Sequence, residues 1–191
     1  MREALTAALV VSALSVPTFV HAANPTTDEQ VAQARALVKS FGGSLKQALK
    51  QAIEEDGMVN GIAACNTLAP EIAARNSKGN WHIGRTSLKL RNPDNAPTDW
   101  QEMQLLAMDD QPVVNGKPVE TWQVSDAAGQ PEFRYMSAIP TQKLCLSCHG
   151  KSIKPEVQAK LDELYPQDQA TGFSEGELRG AFVLTYQPSG K

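Results

Sequence analysis

Apolar residues recur at intervals of three and four along the first third of the chain: Val31, Ala34, Val38, Phe41, Leu45, Ala48 and Ala52. A helix turns once in about 3.6 residues, so these positions form one stripe and predict a long amphipathic helix. Thr27, with Gln30 three residues later, reads as the capping box that starts it. Gly42-Gly43 is expected to weaken or bend the helix midway. Gly57, after the acidic Glu54-Glu55-Asp56, is expected to end it. A small-residue helical stretch from Met58 to Leu68 then carries Cys65, and Pro70 is expected to open a new helical turn over Glu71 to Asn76.

From Trp81 the period falls to two. Thr86, Leu88 and Leu90 alternate with Arg85, Ser87, Lys89 and Arg91, which predicts an extended segment from Trp81 to Arg91. Asn92 to Pro97 is a loop by composition. Thr98 with Gln101 forms a second capping box, opening a short helix through Leu106, and Asn115-Gly116 marks a turn. Pro118 to Val124 and Phe133 to Ile139 are expected strands around an Asp126-Ala127-Ala128-Gly129 turn. Pro155 to Tyr165 is an expected helix and Gly180 to Tyr186 a last strand. Helices followed by an antiparallel meander with interrupting helices predict an α+β fold with a long N-terminal helical segment.

Composition narrows this picture. The 191 residues carry a formal net charge of −3, with 41% hydrophobic and 20% charged positions. That is the make-up of a globular domain, and the slightly acidic balance excludes the usual phosphate-neutralising surface of a nucleic-acid binder. Ala4 to Val20 is an uncharged run behind Arg2, interrupted by Pro17 and followed by Val20-His21-Ala22. It falls short of the roughly 20 apolar residues of a membrane span, although an uncleaved anchor is the competing reading. The pattern predicts a signal peptide over residues 1–22, cleaved after Ala22, and one periplasmic, membrane-free domain over residues 23–191. No cysteine stands at the cleavage point, which argues against a lipid anchor.

The chemistry concentrates in Cys145-Leu146-Ser147-Cys148-His149. Cys-x-x-Cys-His is the attachment sequence of a c-type haem. Two thiols on one short loop form thioethers with the two vinyl groups, and the next histidine falls under the iron as proximal ligand. Three other readings compete. A thioredoxin-type disulfide needs its first cysteine at a helix start in a βαβ unit. A Cys₃His zinc site would use Cys65, Cys145, Cys148 and His149, with Cys148 and His149 awkwardly adjacent on one tetrahedral ion. A structural disulfide between Cys145 and Cys148 would strain so short a loop. With the export signal, one covalent haem c is the expected cofactor.

The second axial ligand has several chemical candidates: Cys65, His82, and the thioethers of Met58, Met103, Met108 and Met136. Methionine ordinarily packs cores. Cys65 stands apart, because once Cys145 and Cys148 are consumed it is the remaining thiol. In an oxidising compartment such a thiol must be buried, paired between chains, or ligated.

Several stretches carry a family resemblance: Ala64-Cys65-Asn66 with Ala69 to Ala73, Ile83 to Pro93 with Asn95-Ala96-Pro97, Cys145 to Gly150, and Gly176 to Phe182. The chain resembles a family of single-domain c-type haem proteins with a PAS-like fold, long catalogued as a domain of unknown function. Related domains form extracytoplasmic sensor regions of bacterial histidine kinases. Glu177 departs from it, an aspartate being usual there. The resemblance implies a PAS-like antiparallel sheet flanked by helices, and it implies His149 and Cys65 as the axial pair.

That pair predicts a low reduction potential, since an anionic thiolate favours ferric iron. Two protein ligands leave no open position for a substrate, so the expected function is not enzymatic; a haem peroxidase would need an open face with acid–base groups. Redox or ligand sensing, with Cys65 leaving on reduction or protonation, is the expected role. A low-potential electron-transfer cytochrome with fixed ligands is the alternative. No kinase or second domain follows, so a redox or signalling protein partner is expected, and the apolar helix stripe is compatible with a homodimer. Arg85, Lys89, Arg91 and Arg134 are candidate partners of haem propionates, with Arg85 the first choice. Trp81, Trp100 and Trp122 are expected in the core or the haem-pocket wall.

Overall fold

The computed structural model describes residues 25–127 and 129–188. The expected signal peptide, residues 1–22, lies outside the described residues.

Helix α1 (Thr27–Asn76) consists of two antiparallel arms that meet at Asp56 (φ −151°) and Gly57 (φ 74°). Gly57 takes up the left-handed conformation without a Cβ penalty, so the chain reverses where the sequence predicted an end. The arms are tied by Asn60 Nδ2 donating to the Ala52 carbonyl at 2.9 Å and Ser40 Oγ donating to Asn76 Oδ1 at 3.0 Å. The cap lies one residue earlier than expected, at Thr26, whose N–H and hydroxyl donate to the Glu29 carboxylate at 2.7 and 3.0 Å. A charged acceptor near the positive end of the helix outcompetes the neutral amide of Gln30.

Two further expectations for α1 are corrected. The helix does not bend at Gly42-Gly43; Gly42 instead admits the Phe182 ring, whose Cζ would stand 3.0 Å from a Cβ there. Nor does Pro70 begin a new turn, because it lies inside the helix. Ile62 on one side of the proline, and Leu68, Ile72 and Ala73 around it, pack into apolar clusters that hold one helix across the missing N–H.

Downstream come β1 (Trp81–Thr86), α2 (Asp99–Asp109), the two-residue strands β2 (Val113–Val114) and β3 (Lys117–Pro118), β4 (Glu120–Ala127), β5 (Gln130–Pro140), α3 (Leu146–His149), α4 (Pro155–Leu164) and β6 (Leu178–Tyr186). The Thr98–Gln101 capping box opens α2 as expected, although the helix runs three residues past Leu106. Four strands form an antiparallel sheet in the order β1-β6-β5-β4. With helices on both sides it is an α+β, PAS-like arrangement. Strand β1 ends at Thr86, sooner than the alternation to Arg91 suggested. There Thr86 Oγ1 donates to Asn95 O at 2.9 Å and Ser87 Oγ to Arg179 O at 2.8 Å, drawing the chain off the sheet.

Helix α1 covers one sheet face with Val31, Ala34 and Phe41 against Trp81, Ile83, Phe133, Tyr135, Leu184 and Tyr186. Helix α2 covers the other with Leu105 and Met108 against Met136, Ala138 and Ala181. A third, smaller cluster joins Ile62 of the returning arm to Val157 and Leu161 of α4. Trp81 is core and Trp100 packs against the α2 cluster, but Trp122 is 43% exposed. It pairs with Tyr135 on edge strand β4, outside the α1-covered cluster. Among the described residues, no helix is long and apolar enough to cross a membrane.

Candidate functional site

The Cys-x-x-Cys-His segment is a single helical turn. A 3-10 turn over Lys143–Cys145 runs into α3, and Gly150 closes it by donating its N–H to Leu146 O at 3.0 Å. A Cβ at Gly150 would meet that carbonyl at 2.5 Å, so only glycine permits the closure. A strap behind the turn holds it: Phe173 N–H donates to His149 O at 2.9 Å and Gly172 N–H to Gly150 O at 3.0 Å. Cys65, Cys145 and Cys148 are all free, half-buried thiols. No disulfide joins Cys145 and Cys148 in this structure. The zinc set does not converge either: among the described residues, no group of three or more His, Cys, Asp or Glu side chains is placed to hold a metal ion.

His149 is the centre of the site. Its Nδ1 lies 2.7 Å from the Ala170 carbonyl. A carbonyl only accepts, so Nδ1 carries the proton and Nε2 keeps its lone pair. Arg179 Nε, 3.2 Å from the same Nδ1, is therefore a charged neighbour rather than a donor to it. Arg91 Nη1 stands 3.4 Å from Nε2. Burial pushes the imidazole pKa down to about 2, reinforced by Arg179 and Arg91 and opposed by the Ala170 carbonyl. The ring is thus held neutral, as a metal-ligating imidazole must be.

Cys65 reaches this neighbourhood from the returning arm of α1. Burial pushes its thiol up, while the Arg85 and Arg91 guanidiniums pull it down. Cys148 shows the same balance, raised by burial and lowered by Arg91. Its side chain packs against the Ile62–Val157–Leu161 cluster, as does Met58. Thus a residue far upstream and the motif face the same cationic group.

Three arginines define the electrostatics. Arg91 pairs with Asp168 at 2.9 Å, the two side chains 13% and 7% exposed. Arg179 donates from Nη1 to Ser87 Oγ at 3.1 Å and lies over the Phe173 ring. Burial, then Arg91 and Arg85, lower its pKa to about 10. Burial also lowers Arg85, whose charged-group interactions are with Cys65 and Tyr165. Asp168 is the carboxylate that answers these cations, and it is bound to Arg91.

The remaining sequence candidates fall elsewhere. His82 is exposed on β1, Met103 is 59% exposed, and Met108 and Met136 are buried beneath α2. Arg134 pairs with Glu132 on the sheet, so it is not a site residue. Lys89 lies over Phe173, 5.1 Å from the ring centre. Sequence reasoning missed Arg179, Asp168, Ala170 and Phe173. Asp168 and Ala170 sit in an irregular polar loop that has no period to read. Arg179 does carry a signal, since it stands beside Gly180 in a resembling stretch.

The site offers a neutral imidazole, two thiols on one turn, a third thiol that shares the Arg85–Arg91 environment, and a surplus of half-buried positive charge. The α+β fold and this constellation define the class, and the comparisons give the family. A family model described as Tll0287-like (Tll0287) matches residues 21–186, and the chain belongs to that family. Among solved structures it is similar to the cyanobacterial heme-protein Tll0287, with 26% identity and a TM-score of 0.61 over 88% of this chain and 99% of that one. No curated protein matches the chain.

Proposed function

We propose that this is an exported c-type haem protein with one haem attached to Cys145 and Cys148 and ligated by His149 and Cys65. The observation that carries the reading is the His149 junction: an imidazole with Nδ1–H on Ala170 O and an unprotonated Nε2 facing Arg91 Nη1, among three arginines with Asp168 as the carboxylate in the described residues. Similarity to a haem protein over nearly the whole chain supports it. When bound, a haem supplies a redox-active iron and two propionate carboxylates. Arg85 and Arg179 would hold those carboxylates, whose charge would offset the surplus of positive charge at the site. Ala170 holds His149 in the ligating tautomer, and the Ile62–Val157–Leu161 cluster walls the site from water.

The function that follows is redox or ligand sensing in the periplasm, passed to a protein partner. The family's resemblance to sensor domains supports it. A second reading is a low-potential electron carrier that keeps Cys65 in both oxidation states; the Arg85 and Arg91 guanidiniums favour the thiolate it needs, against the larger effect of burial, which pushes the thiol up. Neither role is enzymatic.

The test is the absorption spectrum of the protein matured with a c-haem attachment system. A thiolate charge-transfer band in the ferric form is expected. Its loss on reduction supports the sensor, and retention of thiolate ligation supports the carrier. A colourless protein despite competent maturation would overturn the haem reading.

A further inference from the structure

We propose that Asp168 is the positioning residue of the His149 ligand, acting through Arg91 and the Ala170 peptide to fix the plane and protonation of the imidazole. This rests on the haem reading above.

The bonds form a closed ring. Asp168 Oδ2 accepts from Arg91 Nε at 3.1 Å and lies 2.9 Å from Nη2 in the ion pair. Asp168 Oδ1 accepts from the Ala170 N–H at 2.8 Å. The Ala170 carbonyl accepts from His149 Nδ1 at 2.7 Å and from Arg91 Nη2 at 3.3 Å. Arg91 Nη2 also donates to the carbonyl of Cys148, within the attachment motif, at 2.5 Å. The two carboxylate oxygens of Asp168 thus act separately. One holds the guanidinium, and the other holds the peptide that orients the imidazole. Ala170 is fully buried, so water does not replace these bonds.

A buried ion pair is weak evidence of stability, because desolvation offsets its attraction. Its better-attested use is to specify one arrangement, and here the arrangement specified is the ligand's. A hydrogen bond from Nδ1 to a fixed acceptor makes Nε2 a stronger donor to a metal, and ligand and acceptor act as a unit. Asp168 itself touches neither attachment thiol in this network; it reaches the motif only through Arg91 and the Cys148 carbonyl.

The experiment compares holoprotein of wild type, Asp168→Ala and the charge-balanced double variant Asp168→Ala/Arg91→Met. The double variant strands no buried charge, which keeps the test available if the single variant folds poorly. Circular dichroism checks folding and a haem-stained gel checks loading. The readouts are the ferric electron paramagnetic resonance g-values, which follow imidazole orientation, and the reduction midpoint. Asp168→Ala is expected to load haem within about two-fold of wild type, with changed g-values and a midpoint shifted to more positive potential; the double variant, which also loses the Arg91 bond to the Cys148 carbonyl, is read only by the g-values of its loaded fraction, which are expected to change likewise. A weaker imidazole donor favours ferrous iron, hence the sign. Folded, loaded variants with wild-type g-values and midpoint would overturn the positioning role. A wild-type protein without covalent haem would overturn the haem reading itself, a distinct result.

Discussion

The sheet face under α1 and the junction around His149 treat buried charge in opposite ways. Around the α1-covered sheet, polar groups meet internal partners. Glu120 accepts from Arg35 and from the Tyr135 hydroxyl, Glu132 lies between Arg134 and Gln187, and Trp81 Nε1 donates to Gln33 at 3.1 Å. At the junction, Arg85, Arg91 and Arg179 gather around a neutral histidine with Asp168 as their carboxylate. The first region matches its charges internally. The second sets three arginines against one carboxylate among the described residues. A protein invests its apolar area in one place and leaves its electrostatics open in another, and the open place is where function is read.

The largest expected effect separates the two regions outright. Cys145→Ala/Cys148→Ala is expected to abolish covalent haem on a stained gel while the near-ultraviolet signal of the Trp81 core persists. Loss of both signals together would mean that the core depends on the site. The opposite experiment is Phe41→Ala, where Phe41 is 1% exposed beneath the sheet. Urea unfolding should show a loss of about 3–5 kcal/mol, with the haem spectrum of the folded fraction unchanged.

Acid should distinguish the regions next. The His149 imidazole has its pKa pushed to about 2 from an ordinary value near 6.5. Between those values the unfolded chain binds one more proton than the folded one, so stability falls as pH drops below about 6.5, by up to ~1.4 kcal/mol per unit. In the haem-free double cysteine variant, His149→Ala should flatten that slope, read as urea midpoints at about pH 7 and pH 5. An unchanged slope would show that His149 is protonated in the folded apoprotein. Arg85→Met removes a half-buried cation with no carboxylate among its interactions in the described residues, and in the same haem-free background it should stabilise by up to about 1 kcal/mol. Arg134→Met, which leaves Glu132 only its Gln187 bond, should destabilise; equal signs would erase the contrast. The smallest effect belongs to Trp122→Ser on the edge strand, within about ±0.5 kcal/mol.

What the sequence made legible follows from how local each signal is. The Thr98–Gln101 cap, the Asn115-Gly116 turn and the α1 stripe are short-range, and the chain forms them where the pattern points. Pro70 misled because its local preference yields to packing of Ile62, Leu68 and Ile72, which only the folded chain brings to bear. Thr26 displaced Thr27 as cap because a carboxylate one residue earlier was the better acceptor. At the site, the motif was legible because two cysteines two residues apart with an adjacent histidine are a short-range pattern. Cys65 stood out chemically as the third thiol, whereas its approach to Arg85 needed the reversal at Gly57. Asp168 and Ala170 were not legible, since their contribution is a backbone carbonyl aimed by a loop.

The most direct test of covalent haem attachment is the intact mass of the protein secreted from a host with c-haem maturation. The expected mass is that of residues 23–191 plus one haem, unchanged by denaturation. A chain of that length without added mass, with Cys145 and Cys148 both free to alkylation, would contradict it.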